Sequence, residues 1–185
     1  HELTSPHKPY NCLYLISPKG ELVDRYDKRF LMSNELEHWT PGNRWGVFDI
    51  NGVRCCLLIC FQLRFPETYR RMKKMDVQCV FQSFYNARQQ GPSVHSEIMQ
   101  QSMQCRAASN HFWVSMTNSC GEYSPYAACF IQPDGRITNG LEQHEEGVMV
   151  NTIDLQAGFY DPMEGFREMA MDGKFSNGPG ELDDK

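Results

Sequence analysis

The residue best placed to do chemistry is Cys60, which ends an apolar run and comes just before a predicted helix. Residues 53–60 are almost continuously apolar after the turn Asn51–Gly52, which predicts a strand covered on both faces. Pro66 suits the first turn of a helix, and the basic cluster at 70–74 suits its end. At such a junction, backbone N–H groups without an intrahelical partner favour a thiolate and an oxyanion. Cys60 is therefore a candidate nucleophile, although free cysteines also commonly fill buried space.

Two charged residues upstream could complete a site with this cysteine. Lys28 follows a strand predicted at 21–26, and Glu37 lies in the irregular segment 29–45. A single loop lysine or loop carboxylate is ordinarily solvated, so neither residue is informative alone. A long irregular segment inside a compact domain is, however, often functional.

Composition indicates a globular protein and excludes several classes of function. The 185 residues are 41% hydrophobic and 22% charged, and their net charge of −5 disfavours nucleic acid or an anionic membrane as a partner. No apolar run reaches the roughly 20 residues that span a bilayer. The eight cysteines and six histidines lack the spacing of a metal site, so we expect no structural metal. The cysteines fit reduced thiols in a cytoplasmic protein better than a disulfide framework.

Predicted strands and helices alternate along the chain, with hairpins added, which indicates an α/β (α+β) protein. One hairpin turns at Ser17–Gly20, and Ser93 can cap a helix over 94–109. Further strands are predicted at 12–16, 77–81, 112–116, 127–131 and 148–153. We expect residues 1–185 to form a single domain whose polar, Gly-rich tail at 177–185 is loose.

Taken together, these residues resemble the nitrilase superfamily of carbon–nitrogen hydrolases. Tyr26–Lys28, then Glu37 five residues before Gly42, then Leu58–Glu67 around Cys60, follow the order and spacing of that family. Two later segments are also similar to family segments, Gln104–Asn110 to a helix-to-strand unit and Pro133–Arg136 to a late hairpin. The resemblance covers the chain from about Asn11 to the tail. It implies the family's four-layer α-β-β-α sandwich, and the Arg-Phe-Pro-Glu run favours an amidase-type branch.

The resemblance also implies a mechanism. Cys60 would attack the carbon of an amide and form a covalent thioester, while Lys28 and the backbone N–H of Phe61 stabilise the charge that develops on the substrate. A glutamate would act as general base, and Glu37 corresponds to a second acidic position that orients the substrate or the lysine. Neither a metal nor an organic cofactor is required. Three aromatic residues are candidates for the substrate-binding walls: Phe61, Phe84 and Tyr85.

The glutamate expected to act as the main base has no counterpart in this sequence. Glu2 and Glu21 are wrongly placed for it, and the opening strands of the sandwich are also missing. We therefore expect an N-terminally incomplete chain that is inactive alone. Two interpretations remain, a fragment of a hydrolase that releases ammonia from small linear amides or carbamoyl compounds, and a truncated, non-catalytic interaction subunit. Family members commonly associate, so a homodimer or higher homo-oligomer is expected.

Overall fold

The computed structural model describes residues 8–86 and 90–174, which form eight strands in two sheets. Strands β1 (Cys12–Ile16) and β2 (Leu22–Asp27) pair as an antiparallel hairpin. The other strands form one mixed sheet in chain order, with β4–β5 and β5–β6 parallel and the remaining pairs antiparallel. They are β3 (Gly46–Ile50), β4 (Val53–Ile59), β5 (Cys79–Ser83), β6 (Trp113–Thr117), β7 (Cys129–Ile131) and β8 (Ile137–Gly140).

The helices begin where the sequence signals them. Helix α1 (Pro66–Lys74) has its proline in the first turn and basic residues in the last. Helix α2 (Val94–Asn110) is capped by Ser93, whose Oγ accepts a hydrogen bond from the backbone N–H of His95 at 3.2 Å. Both helices connect parallel strands, as crossover connections require. A short α3 (Arg167–Met171) and 3₁₀ helices at Glu35–Glu37 and Cys60–Arg64 complete the described elements.

The main core lies between one face of the large sheet and helices α1 and α2. Leu58 of β4, Met72 of α1 and Met103 of α2 are fully buried there, and Tyr26 brings the β1–β2 hairpin into the same core. The opposite face of the sheet carries a second apolar cluster around Cys55, Cys79, Trp113 and Phe130, against which Ile153 and Phe159 pack. Strand β4 is therefore apolar on both faces, which confirms the prediction from its sequence.

The strand predicted at 148–153 is wrong, because this segment forms no strand in the structure. Val148 and Val150 are 88% and 85% exposed. The contact between β8 and the backbone of this segment is made by a side chain: the Asn139 amide of β8 donates to the Val150 carbonyl oxygen at 3.3 Å. An alternating apolar pattern becomes a strand only when a neighbour supplies the ladder of hydrogen bonds. The tail predicted at 177–185 lies outside the described residues. Among the described helices, none has both the length and the hydropathy to cross a bilayer.

Candidate active site

Cys60 lies at the exit of β4 in a conformation that few residues adopt. Ile59 is still extended, with φ −128° and ψ 120°, whereas Cys60 has a φ of 43°. This left-handed region is uncommon for a residue with a side chain, and such outliers concentrate at functional sites. The sharp turn ends β4 and starts the 3₁₀ helix, so Cys60 lies at the C-terminal end of a strand that is inside the sheet.

The chain on the N-terminal side of Cys60 is held by a buried amide. The Gln62 Oε1 accepts hydrogen bonds from the Ile59 backbone N–H at 2.9 Å and from the Tyr26 hydroxyl at 2.8 Å. Gln62 and Tyr26 are both fully buried, and burial raises the pKa of the Tyr26 hydroxyl, so it remains a neutral donor. Buried hydrogen bonds of this kind fix one geometry, because an unpaired group there is costly.

A second buried pair holds the carbonyl group of Cys60 itself. The Gln82 Nε2 of β5 donates to the Cys60 carbonyl oxygen at 3.2 Å, and the Tyr69 hydroxyl of α1 donates to the Gln82 Oε1 at 2.6 Å. The backbone around the thiol is thus tied to a neighbouring strand, to α1 and to the β1–β2 hairpin. Neither glutamine was predicted as a site residue, because nothing in the local sequence shows which partner a buried amide will meet.

Lys28 lies directly after β2, with its side chain 2% exposed. Its backbone is fixed by hydrogen bonds to the Asn11 carbonyl and from the Gly42 N–H, each at 2.8 Å. A side chain at position 42 would overlap the carbonyl group of Asp27, so only glycine allows this close approach. The sequence-predicted lysine is therefore a buried cation and not a solvated one.

The carboxylate that neutralises Lys28 is Glu35 rather than the predicted Glu37. The Lys28 Nζ lies 2.7 Å and 2.8 Å from the two carboxylate oxygens of Glu35, and one of these oxygens also accepts from the Met32 N–H at 2.7 Å. Glu37 is exposed on the same 3₁₀ turn and forms no ion pair with Lys28. The sequence offered two acidic residues in an irregular loop, and spacing alone could not select between them. A role for Glu37 toward substrate remains a prediction.

The charges around Cys60 act in opposite directions on its thiol. Burial raises the pKa of Cys60 above its ordinary value, and the Glu35 carboxylate acts in the same direction. The Lys28 ammonium and hydrogen bonds from the backbone of Tyr85 and Phe61 lower the pKa, but by less. The thiol is therefore neutral near pH 7, and nucleophilic attack needs a base that takes its proton. The same three groups would stabilise an oxyanion formed beside the sulfur.

Two adjoining cavities open at Cys60 and share Tyr85 in their walls. The larger, of about 580 Å³, is lined by Lys28, Glu35 and Phe84 among others. The smaller, of about 460 Å³, extends past Phe61. The structure thus brings the predicted aromatic residues to these walls, although Phe84 is mostly buried against Tyr126, with ring centroids 5.8 Å apart. Within the described residues no group of three or more potential metal ligands clusters together.

The chain is similar to known proteins over most of its length. A family model described as carbon–nitrogen hydrolase matches residues 1–158. A "hydrolase in agr operon" of Staphylococcus lugdunensis is 32% identical over 157 residues, covering 80% of this chain and 64% of that protein. A 2-oxoglutaramate amidase of Bacillus subtilis is 28% identical over 154 residues, covering 80% of this chain and 57% of that protein. The chain therefore spans less than two thirds of the length of these relatives.

A solved structure gives the corresponding likeness of fold. It is a variant of the amidase from Nesterenkonia sp. AN1, with a TM-score of 0.60 and 23% identity, over 70% of this chain and 50% of that one. At this level of identity the likeness concerns the fold. The predicted α+β sandwich of the nitrilase type is thereby confirmed, and the two described sheets with their helices form part of it.

Proposed function

Because the chain belongs to the carbon–nitrogen hydrolase family, we propose that it carries a cysteine site for hydrolysing the carbon–nitrogen bond of small linear amides or carbamoyl compounds. One observation carries the proposal. Cys60 adopts a left-handed turn at a strand exit, and the groups that lower the pKa of its thiol are the buried Lys28 and two backbone hydrogen bonds. These groups are the ones that acyl transfer through a thiolate requires.

The proposed reaction has two halves. The Cys60 sulfur, after losing its proton to a base, forms a bond to the amide carbon, and the carbonyl electron pair moves to the oxygen beside Lys28 and the Phe61 N–H. Collapse of this intermediate breaks the carbon–nitrogen bond, and the nitrogen leaves as ammonia after it receives the proton. Water then attacks the thioester, which releases the carboxylic acid and restores the thiol.

Two of the similar proteins support this chemistry. The Bacillus subtilis relative is, by its name, an amidase that acts on 2-oxoglutaramate. The Nesterenkonia structure is a glutamate-to-leucine variant that carries the acetamide moiety of fluoroacetamide on its active-site cysteine. Fluoroacetamide is therefore a suitable probe for the thiol in a protein of this fold.

The test is to treat the chain with fluoroacetamide and to map the product by peptide mass spectrometry. The sulfur displaces fluoride, so a new sulfur–carbon bond marks each reactive thiol. At pH 9, which offsets the raised pKa of the Cys60 thiol, we expect modification of Cys60 before the exposed Cys105, because Lys28 and the backbone N–H of Phe61 would hold the carbonyl oxygen of the reagent beside the Cys60 sulfur. Cys60→Ser should abolish the selective product, and Cys105→Ser is the matched control. Modification of Cys105 with Cys60 left intact would overturn the proposal.

We infer in addition that these 185 residues do not turn over amides alone. Among the described residues, Glu35 is the carboxylate that lines a cavity at Cys60, and both of its oxygens contact Lys28. Both oxygens are thus engaged by the ammonium group, so we infer that Glu35 does not take the proton of the thiol and that the described residues at this cavity supply no other carboxylate for that role. Ammonia release from a carboxamide panel at a rate above that of Cys60→Ser would contradict this inference.

Exposed apolar side chains favour an interaction role as well, which is the second candidate function. Leu22 and Val23 on the β1–β2 hairpin, and Val148 and Val150 on the unpaired segment, are each at least 60% exposed. Exposed apolar patches of this kind commonly mark interfaces, and we propose that copies of the chain associate through them. Light scattering after gel filtration should show a dimer or larger species that Val148→Lys with Val150→Lys dissociates. A monomer at all concentrations would refute this role.

We further propose that the chain is a single domain. Its free cysteines favour a reducing compartment such as the cytoplasm as the place where it works. All eight cysteines are free thiols, including the neighbours Cys55 and Cys79 on adjacent strands. Thiol titration of the unfolded protein, purified without reductant from the cytoplasm, should count all of them. A stable disulfide would contradict the assignment.

A further inference from the structure

The loop that follows β5 continues the hydrogen-bond ladder of the sheet through a side chain. Strand β5 lies between β4 and β6, and just after it the backbone N–H of Phe84 donates to the Thr117 carbonyl oxygen at the end of β6 at 2.9 Å. In a parallel pair the next such bond comes two residues later, from Asn86. The Asn86 N–H does point to the exit of β6, but its acceptor is the side-chain Oδ1 of Asn118, at 3.0 Å. A side-chain amide thus takes the place of the backbone carbonyl that would continue the ladder.

This extension of the ladder aims the backbone N–H of Tyr85 the other way. Successive N–H groups of an extended chain point to opposite neighbours, so Tyr85, between two residues that donate towards β6, faces the exit of β4. Cys60 is the first residue after β4, next to the pair that Ile59 forms with Ser83. The Tyr85 backbone accordingly donates a hydrogen bond to the Cys60 thiol. The hydrogen bond that Asn118 accepts therefore sets the direction of a donor at the sulfur.

The other end of the Asn118 amide is bonded as well. Its Nδ2 donates to the Tyr126 carbonyl oxygen at 2.9 Å, and the Tyr126 hydroxyl accepts from the Asn86 Nδ2 at 2.6 Å. Tyr126 is 3% exposed. Asn118, Asn86 and Tyr126 thus form a closed ring of hydrogen bonds around the loop 84–86. Such a network keeps one geometry, because breaking one bond leaves a buried partner unsatisfied.

We propose that Asn118 is a positioning residue of the Cys60 site, which acts together with Tyr126 by holding the loop 84–86 so that the Tyr85 N–H faces the sulfur. The inference rests on the proposed function only in taking Cys60 as the nucleophile. In that reaction the N–H stabilises the negative charge of the thiolate before it attacks the substrate. A purely structural Asn118 would instead contribute to stability and leave the reactivity of Cys60 unchanged.

The direction of the effect follows from the charge of the thiolate. A hydrogen bond donated to a thiolate favours the charged form, so loss of the Tyr85 donor should raise the pKa of Cys60 further. Alkylation follows the thiolate fraction, so it should slow at a pH below this pKa and recover above it. The other titratable and charged groups that face Cys60 or line its two cavities remain in a variant at position 118: Lys28, Glu35, His38, Arg64, His95 and Tyr126.

The experiment measures the rate at which iodoacetamide alkylates Cys60 between pH 7 and pH 10, by mass spectrometry of the peptide that contains it. Asn118→Ala removes both hydrogen bonds of the side chain, and Tyr126→Phe removes one bond of the same network while keeping the aromatic ring. Asn139→Ala is the matched control, because the Asn139 amide also bonds to a neighbouring segment but lines neither cavity at Cys60. Hydrogen exchange of the Tyr85 backbone amide, measured by NMR, reports the donor itself.

We expect Asn118→Ala to slow the alkylation of Cys60 about tenfold at pH 8, with a smaller difference at pH 10, and to speed up exchange of the Tyr85 amide. Tyr126→Phe should act in the same direction by a smaller factor, and it decides the question alone if Asn118→Ala does not fold. Asn139→Ala should change neither quantity.

The outcomes separate this inference from the proposed function. An unchanged alkylation profile in both test variants, with Cys60 still selectively labelled by fluoroacetamide, would overturn the inference and leave the proposed function intact. If fluoroacetamide does not label Cys60 in the unaltered protein, the proposed function fails, and the iodoacetamide profiles still decide whether Asn118 positions the Tyr85 donor.

Discussion

The Lys28–Glu35 ion pair gives a quantitative test of the site's construction. Lys28 is 2% exposed and Glu35 is 19% exposed, with both carboxylate oxygens within 2.8 Å of the ammonium nitrogen. Removing one member of a buried pair costs about 3–5 kcal/mol, because the other charge is left in a poorly solvated place. Water can reach Glu35 in Lys28→Met, so we expect about 3 kcal/mol for that variant. Glu35→Leu leaves the deeper charge unpaired, so we expect about 5 kcal/mol.

The double variant Lys28→Met with Glu35→Leu should be more stable than either single variant. It leaves no unpaired charge, and replacing a buried pair by apolar residues of similar volume is often nearly neutral. Urea unfolding followed by tryptophan fluorescence gives the free energy of unfolding of all four proteins and hence the coupling energy. Two single variants that each cost less than about 1 kcal/mol, and whose effects add in the double variant, would refute a desolvated pair.

The same variants should move the pKa of Cys60 in opposite directions. Burial, the main cause of the raised pKa, is unchanged in all of them. Lys28→Met removes the cation that lowers the pKa and leaves Glu35, so alkylation at pH 8 should slow. Glu35→Leu removes a charge that raises the pKa, so alkylation should become faster where the variant is folded. Rates that do not change in either variant would show that the pair is purely structural.

Three further predictions follow from the same geometry. Because the pKa of Cys60 is raised, its alkylation rate should still be increasing at pH 9, and a plateau reached by pH 7 in stopped-flow experiments would contradict this. Tyr26→Phe should lower the free energy of unfolding in urea by about 1–3 kcal/mol, because the Tyr26 hydroxyl not only donates to the Gln62 Oε1 but also accepts from the Gln62 Nε2 at 2.6 Å, and both buried amide atoms lose this partner. No change would show that water replaces the hydroxyl. Gly42→Ala should lower the melting temperature, because its side chain would overlap a backbone carbonyl, whereas the control Gly158→Ala has open space and should leave it unchanged.

The order of elements around the proposed nucleophile could be predicted from sequence because each signal was local. An apolar run followed by Pro66 was enough to place Cys60 between a strand and a helix. The strongly left-handed backbone of Cys60 had no such signal, because neither glycine nor asparagine marks the position. Tertiary contacts from β5 and the β1–β2 hairpin fix that conformation, and sequence patterns do not contain them.

The site residues that could not be predicted from the sequence are those whose roles depend on tertiary packing. Glu35 and Glu37 share one 3₁₀ turn, and the orientation of that turn against Lys28 decides which carboxylate faces inward. Gln62 and Gln82 became visible as positioning residues only when their buried partners were known. At 148–153 the sequence instead predicted an element that does not form. The pattern of this segment suits a strand, but no neighbouring strand pairs with it in the described part of the chain.

A crystal structure of the protein after reaction with fluoroacetamide would show directly whether Lys28 and the Phe61 backbone face the group bound to Cys60. We expect an acetamide moiety on the Cys60 sulfur, with its carbonyl oxygen about 2.7–3.2 Å from the Lys28 ammonium nitrogen and from the backbone nitrogen of Phe61. An acetamide oxygen that points into solvent, with Lys28 bonded to Glu35 alone, would contradict the assignment of Lys28 and Phe61 to oxyanion stabilisation.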